Sequence, residues 1–203
     1  MLNIAVLGST SGTDLQAVID GIESGKLKNV KISLIVSNKK DAYILERGKK
    51  HGVESIFIDP TGKKREQYDR EIDRLLVEAN VKLVVLIGYM KLMSAWFVNK
   101  WKNKVMNIHP SLLPMFAGGM DKNVHQEILL YGCKVTGCSL IFIDEGADTG
   151  PIILQKAAEI IEGETVDSLK DKVQKAEQEI ILKGIELYRD DKLKVEGRIV
   201  RLK

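Results

Sequence analysis

Short apolar runs alternate with amphipathic ones along the first half of the chain. Asn3 to Gly8 (NIAVLG), Lys31 to Ser37 (KISLIVS), Ser55 to Asp59 (SIFID), Leu83 to Ile87 (LVVLI) and Val105 to His109 (VMNIH) read as strands. A run as wholly apolar as 83–87 is expected of a central parallel strand covered on both faces. Asp14 to Ser24, Ala42 to His51, Lys64 to Ala79 and Ser94 to Lys100 read as helices between them. In 64–79, Tyr68, Ile72, Leu75, Leu76 and Ala79 fall on one face. This alternation predicts an α/β fold with a doubly wound, mostly parallel sheet and right-handed crossovers.

The pattern changes after residue 110. Asn123 to Leu130 reads as a helix, and Lys134 to Ile143 and Pro151 to Ile160 as two strands joined by DEGADTG. They predict an antiparallel C-terminal extension. Val166 to Tyr188 reads as a long C-terminal helix with Val166, Leu169, Val173, Ala176, Ile180 and Leu187 as its apolar stripe. The tail, KLKVEGRIVRL, is expected to add one edge strand. There is no internal repeat and no domain-separating linker, so residues 1–203 read as a single domain.

Composition narrows the function classes. The chain is 44% hydrophobic and 29% charged, ordinary for a soluble globule. Its 31 basic and 28 acidic residues, net +3, are dispersed, so nucleic acid is not an expected partner. Cys133 and Cys138 lack CxxC spacing and are expected to be free thiols, with no metal site. The N-terminus lacks a basic leader pattern, and no apolar run approaches the roughly 18 residues of a membrane span. A cytoplasmic protein with no membrane partner is expected, as a monomer or homodimer.

Candidate chemistry starts at GSTSGTD, Gly8 to Asp14, where the first strand runs into a helix. Small residues there let backbone N–H groups face a phosphate at the positive helix end. It reads equally as an ordinary turn capped by Thr13 or Asp14. The GK[ST] ending of a P-loop is missing, as is G-x-G-x-x-G. The second strand ends Ser37, Asn38, Lys39, with no acidic residue for a ribose. ATP hydrolysis and hydride transfer are therefore disfavoured.

NIHPSLLP, Asn107 to Pro114, is the sharper signal. Asn107 and His109 project to one face of a strand that Pro110 stops. An amide that donates to a developing oxyanion, beside an imidazole that moves protons, suits acyl transfer. Taken alone, N-x-H is more often a hydrogen-bonded pair without chemistry. In DEGADTGP, Asp144, Glu145 or Asp148 could hold the His109 imidazole, and spacing does not choose among them. GYMKLM, Gly88 to Met93, fits either a flat pocket wall or core. His51 is expected on the surface, and the role of His125 is open.

Together these segments resemble the glycinamide ribonucleotide formyltransferase family, from Asn3 to about Tyr188. NIHPSLLP followed by ADTGPIILQ is characteristic of formyltransferases that use 10-formyltetrahydrofolate. GSTSGTDLQAVID, VSNKKDA, VVLIGYMKLM and the helix around Gln174 to Glu177 extend the match. The resemblance implies a Rossmann-like formyltransferase fold, with 1–110 as the phosphate-binding half and 111–203 as the folate-binding and catalytic-loop half. It implies catalytic roles for Asn107, His109 and Asp148, and so selects Asp148 among the three carboxylates. Gly12, Thr13 and Asp14 would bind the ribonucleotide phosphate and Glu177 its ribose. Met90, Lys91, Leu92, Met93, Asp144, Glu145, Gly146 and Ala147 would bind the folate. The implied reaction moves a formyl group from 10-formyltetrahydrofolate, a co-substrate, to glycinamide ribonucleotide, without a metal. A hydrolase or a transferase with another acceptor is the nearest alternative. A non-catalytic binding protein on the same sheet is the alternative from another class.

The chain departs from the family's usual pattern at three places. Its phosphate loop ends Gly12, Thr13, Asp14 where G-S-N is usual. A carboxylate near a phosphate is unfavourable unless it points away, as an N-cap does. Ile141 stands where many members have His. MFAGGMDKNVHQEIL, from Met115, lacks the usual Pro-Gly and further His residues, and only His125 is matched. Altered acceptor affinity or choice is the expected consequence.

Overall fold

The computed structural model describes residues 1–118 and 123–203. Residues 119–122, within the divergent segment that starts at Met115, lie outside the described residues. The chain opens β1(Leu2–Leu7), α1(Thr13–Glu23), β2(Val30–Ser37), α2(Tyr43–Lys50), β3(Ser55–Phe57), α3(Arg65–Glu78), β4(Leu83–Leu86), α4(Ala95–Lys100) and β5(Val105–His109). It continues α5(Val124–Leu130), β6(Val135–Phe142), β7(Ile152–Glu159), α6(Val166–Arg189), β8(Leu193–Glu196) and β9(Ile199–Leu202).

Among the described residues the strands form one nine-stranded sheet, ordered β3-β2-β1-β4-β5-β6-β7-β9-β8. From β3 to β5 every neighbour is parallel. β6 returns antiparallel on β5, and β7 antiparallel on β6. The parallel core and antiparallel extension match the reading from hydropathy.

Period-two alternation explains why β1 lies in the middle. Ile4 and Val6 point into one core with Leu15, Val18, Ile44 and the apolar face of α6. Ala5 and Leu7 point into the opposite core with Tyr68, Ile72 and Leu76 of α3 and Phe97 of α4. A strand buried on both faces needs apolar residues at every position, and the run Ile4 to Leu7 supplies them.

Three expectations are corrected. The tail is a hairpin, β8 and β9, rather than one edge strand, and β9 is the strand that meets β7. Gly197, at φ 61°, takes the left-handed turn that reverses the chain. The helix after β1 is capped by the Gly12 backbone, at φ 67°, and by no side chain, so neither Thr13 nor Asp14 is its N-cap. The buried face of α6 is wider than the expected stripe and includes Ile181, Ile185 and Glu177, while Val166 is only half-buried. Glu177 sits within this packed face.

Among the described residues no helix is long and apolar enough to cross a membrane. Gly150 ends the loop between β6 and β7 at the closest backbone approach near the site. A Cβ there would lie 1.8 Å from the Phe142 carbonyl oxygen and 2.9 Å from its carbon. Gly150→Ala is therefore expected to cost about 2 kcal/mol or more, lowering Tm by about 4–8 °C. An unchanged melting curve would show that the loop closes without this contact.

Candidate active site

In an open α/β sheet, ligands bind outside the strand carboxyl ends where the strand order reverses. Here that point lies between β1 and β4, because the order runs outward from β1 to β3 on one side and from β4 onward on the other. The segments after β1, β4 and β5 converge there. Each was singled out from sequence.

The segments are tied together by backbone and by one hydroxyl. Ser9 N–H donates to Gly88 O at 3.0 Å. Ser9 Oγ donates to Asn38 Oδ1 at 2.5 Å and accepts from Met90 N–H at 2.9 Å. The far end of the 88–93 segment is held by Asp69, whose Oδ2 accepts from Ser94 N–H at 2.6 Å. Burial pushes the Asp69 carboxyl above its ordinary range, against the Ser94 hydrogen bonds that lower it.

A cavity of about 280 Å³ opens at this crevice. It is lined by Met90, Lys91, Leu92 and Met93 after β4, by Asn107 and His109 on β5, and by Asp144, Glu145, Gly146, Ala147 and Asp148 of the β6–β7 loop. Met90 and Leu92 are partly exposed and Met93 is buried, so Met93 belongs both to the core and to the cavity wall. Gly12, Thr13, Asp14 and Glu177 do not line this cavity. The loop that carries Gly12 abuts it, because Thr10 packs against Gly88, a cavity residue.

Three polar side chains meet at one end of the cavity. Asn107 Nδ2 donates to Asp148 Oδ1 at 3.0 Å. His109 Nδ1 lies 3.3 Å from Asp148 Oδ2. Gly118 N–H donates to the same oxygen at 3.0 Å. His109 is buried, and its Nε2 has no partner among the described residues. Asp148 adopts φ 56°, a left-handed conformation that Asp tolerates better than most residues. Burial alone would raise the Asp148 carboxyl. The hydrogen bond and charge of His109, the Gly118 N–H and the Asn107 amide outweigh it and hold the group below its ordinary value.

Of the three loop carboxylates, Asp148 is the one that reaches His109. Asp144 Oδ1 instead accepts from Gly146 N–H at 3.1 Å and Thr149 Oγ1 at 2.6 Å, which shapes the loop. Glu145 accepts from Asn99 Nδ2 at 3.2 Å. The turn after His109 is pinned by Ser139, whose Oγ accepts from Leu113 N–H at 3.0 Å and donates to Ser111 O at 2.7 Å.

Val124, Ile143 and Thr149 line the cavity as well and went unnoticed in sequence, whereas Tyr89 of GYMKLM and Ile141, both singled out there, line it too. Ile141 pairs with Asn107 in the sheet, and its side chain faces the site. Ser9 was overlooked because a serine in a small-residue loop carries no spacing signal. His51 is exposed and meets Glu23 at 2.8 Å. His125 Nδ1 is buried without a partner among the described residues, and burial, with the charge of Lys170, lowers its pKa.

Asp14 and Glu177 come together outside this cavity, where α1 packs on α6. Burial pushes the Asp14 carboxyl up to about 6, opposed by a hydrogen bond from Gln178. Burial and the charge of Asp14 push Glu177 well above the usual carboxylate range.

Fold and site define a class: a doubly wound α/β protein with an amide–imidazole–carboxylate cluster at its switch-point crevice. Residues 2–185 match the formyl transferase family, and the chain belongs to it. It is 35% identical over 195 residues to phosphoribosylglycinamide formyltransferase of Escherichia coli, covering 96% of this chain and 90% of that one. It is 38% identical over 200 residues to the trifunctional purine biosynthetic protein adenosine-3 of Bos taurus, covering 97% of this chain but only 19% of that protein's length. The crystal structure of glycinamide ribonucleotide transformylase 1 from Symbiobacterium toebii superposes with a TM-score of 0.92 at 38% identity, covering 100% of this chain and 94% of that one.

Ser9→Ala removes the bridge between the loops after β1, β2 and β4. It leaves a part-buried N–H and a part-buried amide oxygen short of a partner, at an expected cost of about 1 kcal/mol. Thermal unfolding measures it. A Tm within experimental error of wild type would mean that water replaces the hydroxyl.

Proposed function

We propose that the chain transfers a formyl group from 10-formyltetrahydrofolate to the amine of glycinamide ribonucleotide, a step of de novo purine biosynthesis, in the cytoplasm. The observation that carries this reading is the convergence of Asn107, His109 and Asp148 on one cavity, with His109 Nε2 buried and without a partner among the described residues. The family, the phosphoribosylglycinamide formyltransferase and the glycinamide ribonucleotide transformylase named above support the choice of reaction.

The cavity fits the donor. Its walls are chiefly apolar around Met90, Leu92, Met93, Ile141 and Ile143, with polar groups at one end. That arrangement suits a flat heterocycle held by a few directed hydrogen bonds. The folate supplies the formyl carbon and ends with one more proton on its N10, which balances the proton lost by the acceptor amine.

Asn107 Nδ2 donates to the oxyanion that develops on the formyl oxygen as the amine attacks. Asp148 orients His109 through Nδ1, which leaves Nε2 to meet the reacting groups. Asp148 is held ionised by its donors, so it remains an acceptor for the amine proton, directly or through water. Gly12, Thr13 and Asp14 offer N–H groups of the α1 N-terminus to the acceptor phosphate, and Glu177 accepts from its ribose hydroxyls.

Absorbance of the folate is followed with 10-formyltetrahydrofolate, with and without glycinamide ribonucleotide. Turnover that requires the ribonucleotide is expected. Turnover that ignores it would assign the chain to hydrolysis, and no turnover in either case would remove the catalytic reading. Asp148→Asn keeps the shape of the side chain but not its charge. It is expected to lower kcat by about a thousandfold or more, by analogy with other His–carboxylate pairs. Near-normal turnover of that variant would exclude Asp148 from the reaction.

A further inference from the structure

Asp14 and Glu177 form a buried acidic pair that the reaction above does not explain. Asp14 is 7% exposed and Glu177 9%. Among the described residues Asp14 Oδ1, which is buried, has no hydrogen-bond partner. Among the described residues no cation stands beside either carboxyl.

The surrounding groups are few. From α6, the Gln178 amide lowers the Asp14 pKa against burial. From β6, the Cys138 thiol faces the pair and is pushed up to about 12, by burial first and by both carboxylates after it. Lys156 of β7 also reaches Cys138, but its ammonium is engaged by Glu179. Arg47 of α2 is turned to Ser11 O and Gln16 Oε1. On α5, His125 lies in the field of Lys170. Nothing here neutralises two buried negative charges, and keeping a proton costs less than ionising both.

The position of the pair gives that proton a use. Asp14 is in the first turn of α1, and the loop before it places Gly12 in the left-handed region. An ionised Asp14 would cancel the positive helix end and repel a phosphate dianion. A neutral Asp14 would do neither, and its hydroxyl could donate while Glu177 accepts. A sugar hydroxyl needs one group of each kind.

We propose that Asp14 and Glu177 hold one proton between them and that acceptor binding depends on it. Asp14 thereby acts as a specificity-determining residue that admits the ribonucleotide phosphate only when neutral. This inference rests on the acceptor reading above. An asparagine would offer donor and acceptor at every pH; the aspartate makes the donor conditional.

The test compares wild type with Asp14→Asn. Titration calorimetry with glycinamide ribonucleotide at pH 8, in buffers of different ionisation heat, should show proton uptake by wild type and less by the variant. The acceptor KM of wild type relative to that of the variant should rise from pH 7 to 9, approaching tenfold per unit. Using the ratio removes the titration of the ligand's own amine and phosphate.

A ligand-free readout stands beside it. The folded Asp14 carboxyl titrates near 6, above its ordinary 3.8. Its contribution to stability is therefore complete below the ordinary value and lost as pH rises through about 6. The variant should match wild type near pH 4 and melt about 4 °C higher or more at pH 8. Carbon-13 carboxyl shifts of the wild-type protein report the shared proton without a variant.

Equal proton uptake by both proteins would overturn the proposal and leave the acceptor reading standing. So would both carboxyls ionised at pH 7. No ribonucleotide binding by either protein would overturn the acceptor reading, and with it the proposed use of the proton.

Discussion

Pairing β1 with β4 sets two strand ends side by side while their helices leave on opposite faces of the sheet. That register, Leu7 opposite Leu86, decides what can meet what. It puts the Gly8–Gly12 turn against Gly88, and β5 then brings Asn107 level with Leu86. The crevice exists because no helix can cover the point where the winding reverses. Apolar residues on both faces of β1, β4 and β5 are what make the register strict. A slip of one residue would exchange Ile4 and Val6 for Ala5 and Leu7 between the two cores.

The antiparallel return of β6 and β7 completes the site from the other side. β6 pairs with β5 and so carries the 144–150 loop back over Asn107 and His109. The loop keeps its shape through Asp144, Gly146 and Thr149 and closes on Phe142 at Gly150. Asp148 is left at the one place where it can accept from Asn107 and Gly118 and still reach His109. The cavity thus draws on residues before and after position 110, and its two walls are parts of one sheet.

Much of this was legible in the chain. The central strands announce themselves because burial on both faces forces an unbroken apolar run, and Pro110 marks where β5 must stop. The tail was not legible to the same depth: Leu193–Glu196 and Ile199–Leu202 are each too short to signal a separate strand, and the turn rests on the single residue Gly197. Nor was the choice among Asp144, Glu145 and Asp148 open to spacing, since it depends on a left-handed backbone at Asp148. The burial of Glu177 was not legible because the apolar stripe read from sequence left out Ile181 and Ile185. With those on the buried face, α6 packs against β6, β7, α1 and α5, and Glu177 is enclosed.

Asp148 and Asp14 show what decides the state of a buried carboxyl. Both lose water, and for both that loss favours the proton. Around Asp148 stand an imidazole, an amide and a backbone N–H, and together they hold the negative charge in place. Around Asp14 stand one amide, an uncharged thiol and a second carboxyl, and the charge is not held. The number and kind of donors, more than depth of burial, set the outcome. On the proposed reading, a site that accepts a proton at one end and binds an anion at the other uses both settings: Asp148 stays charged where the amine would react, and Asp14 takes up a proton where the phosphate would lie.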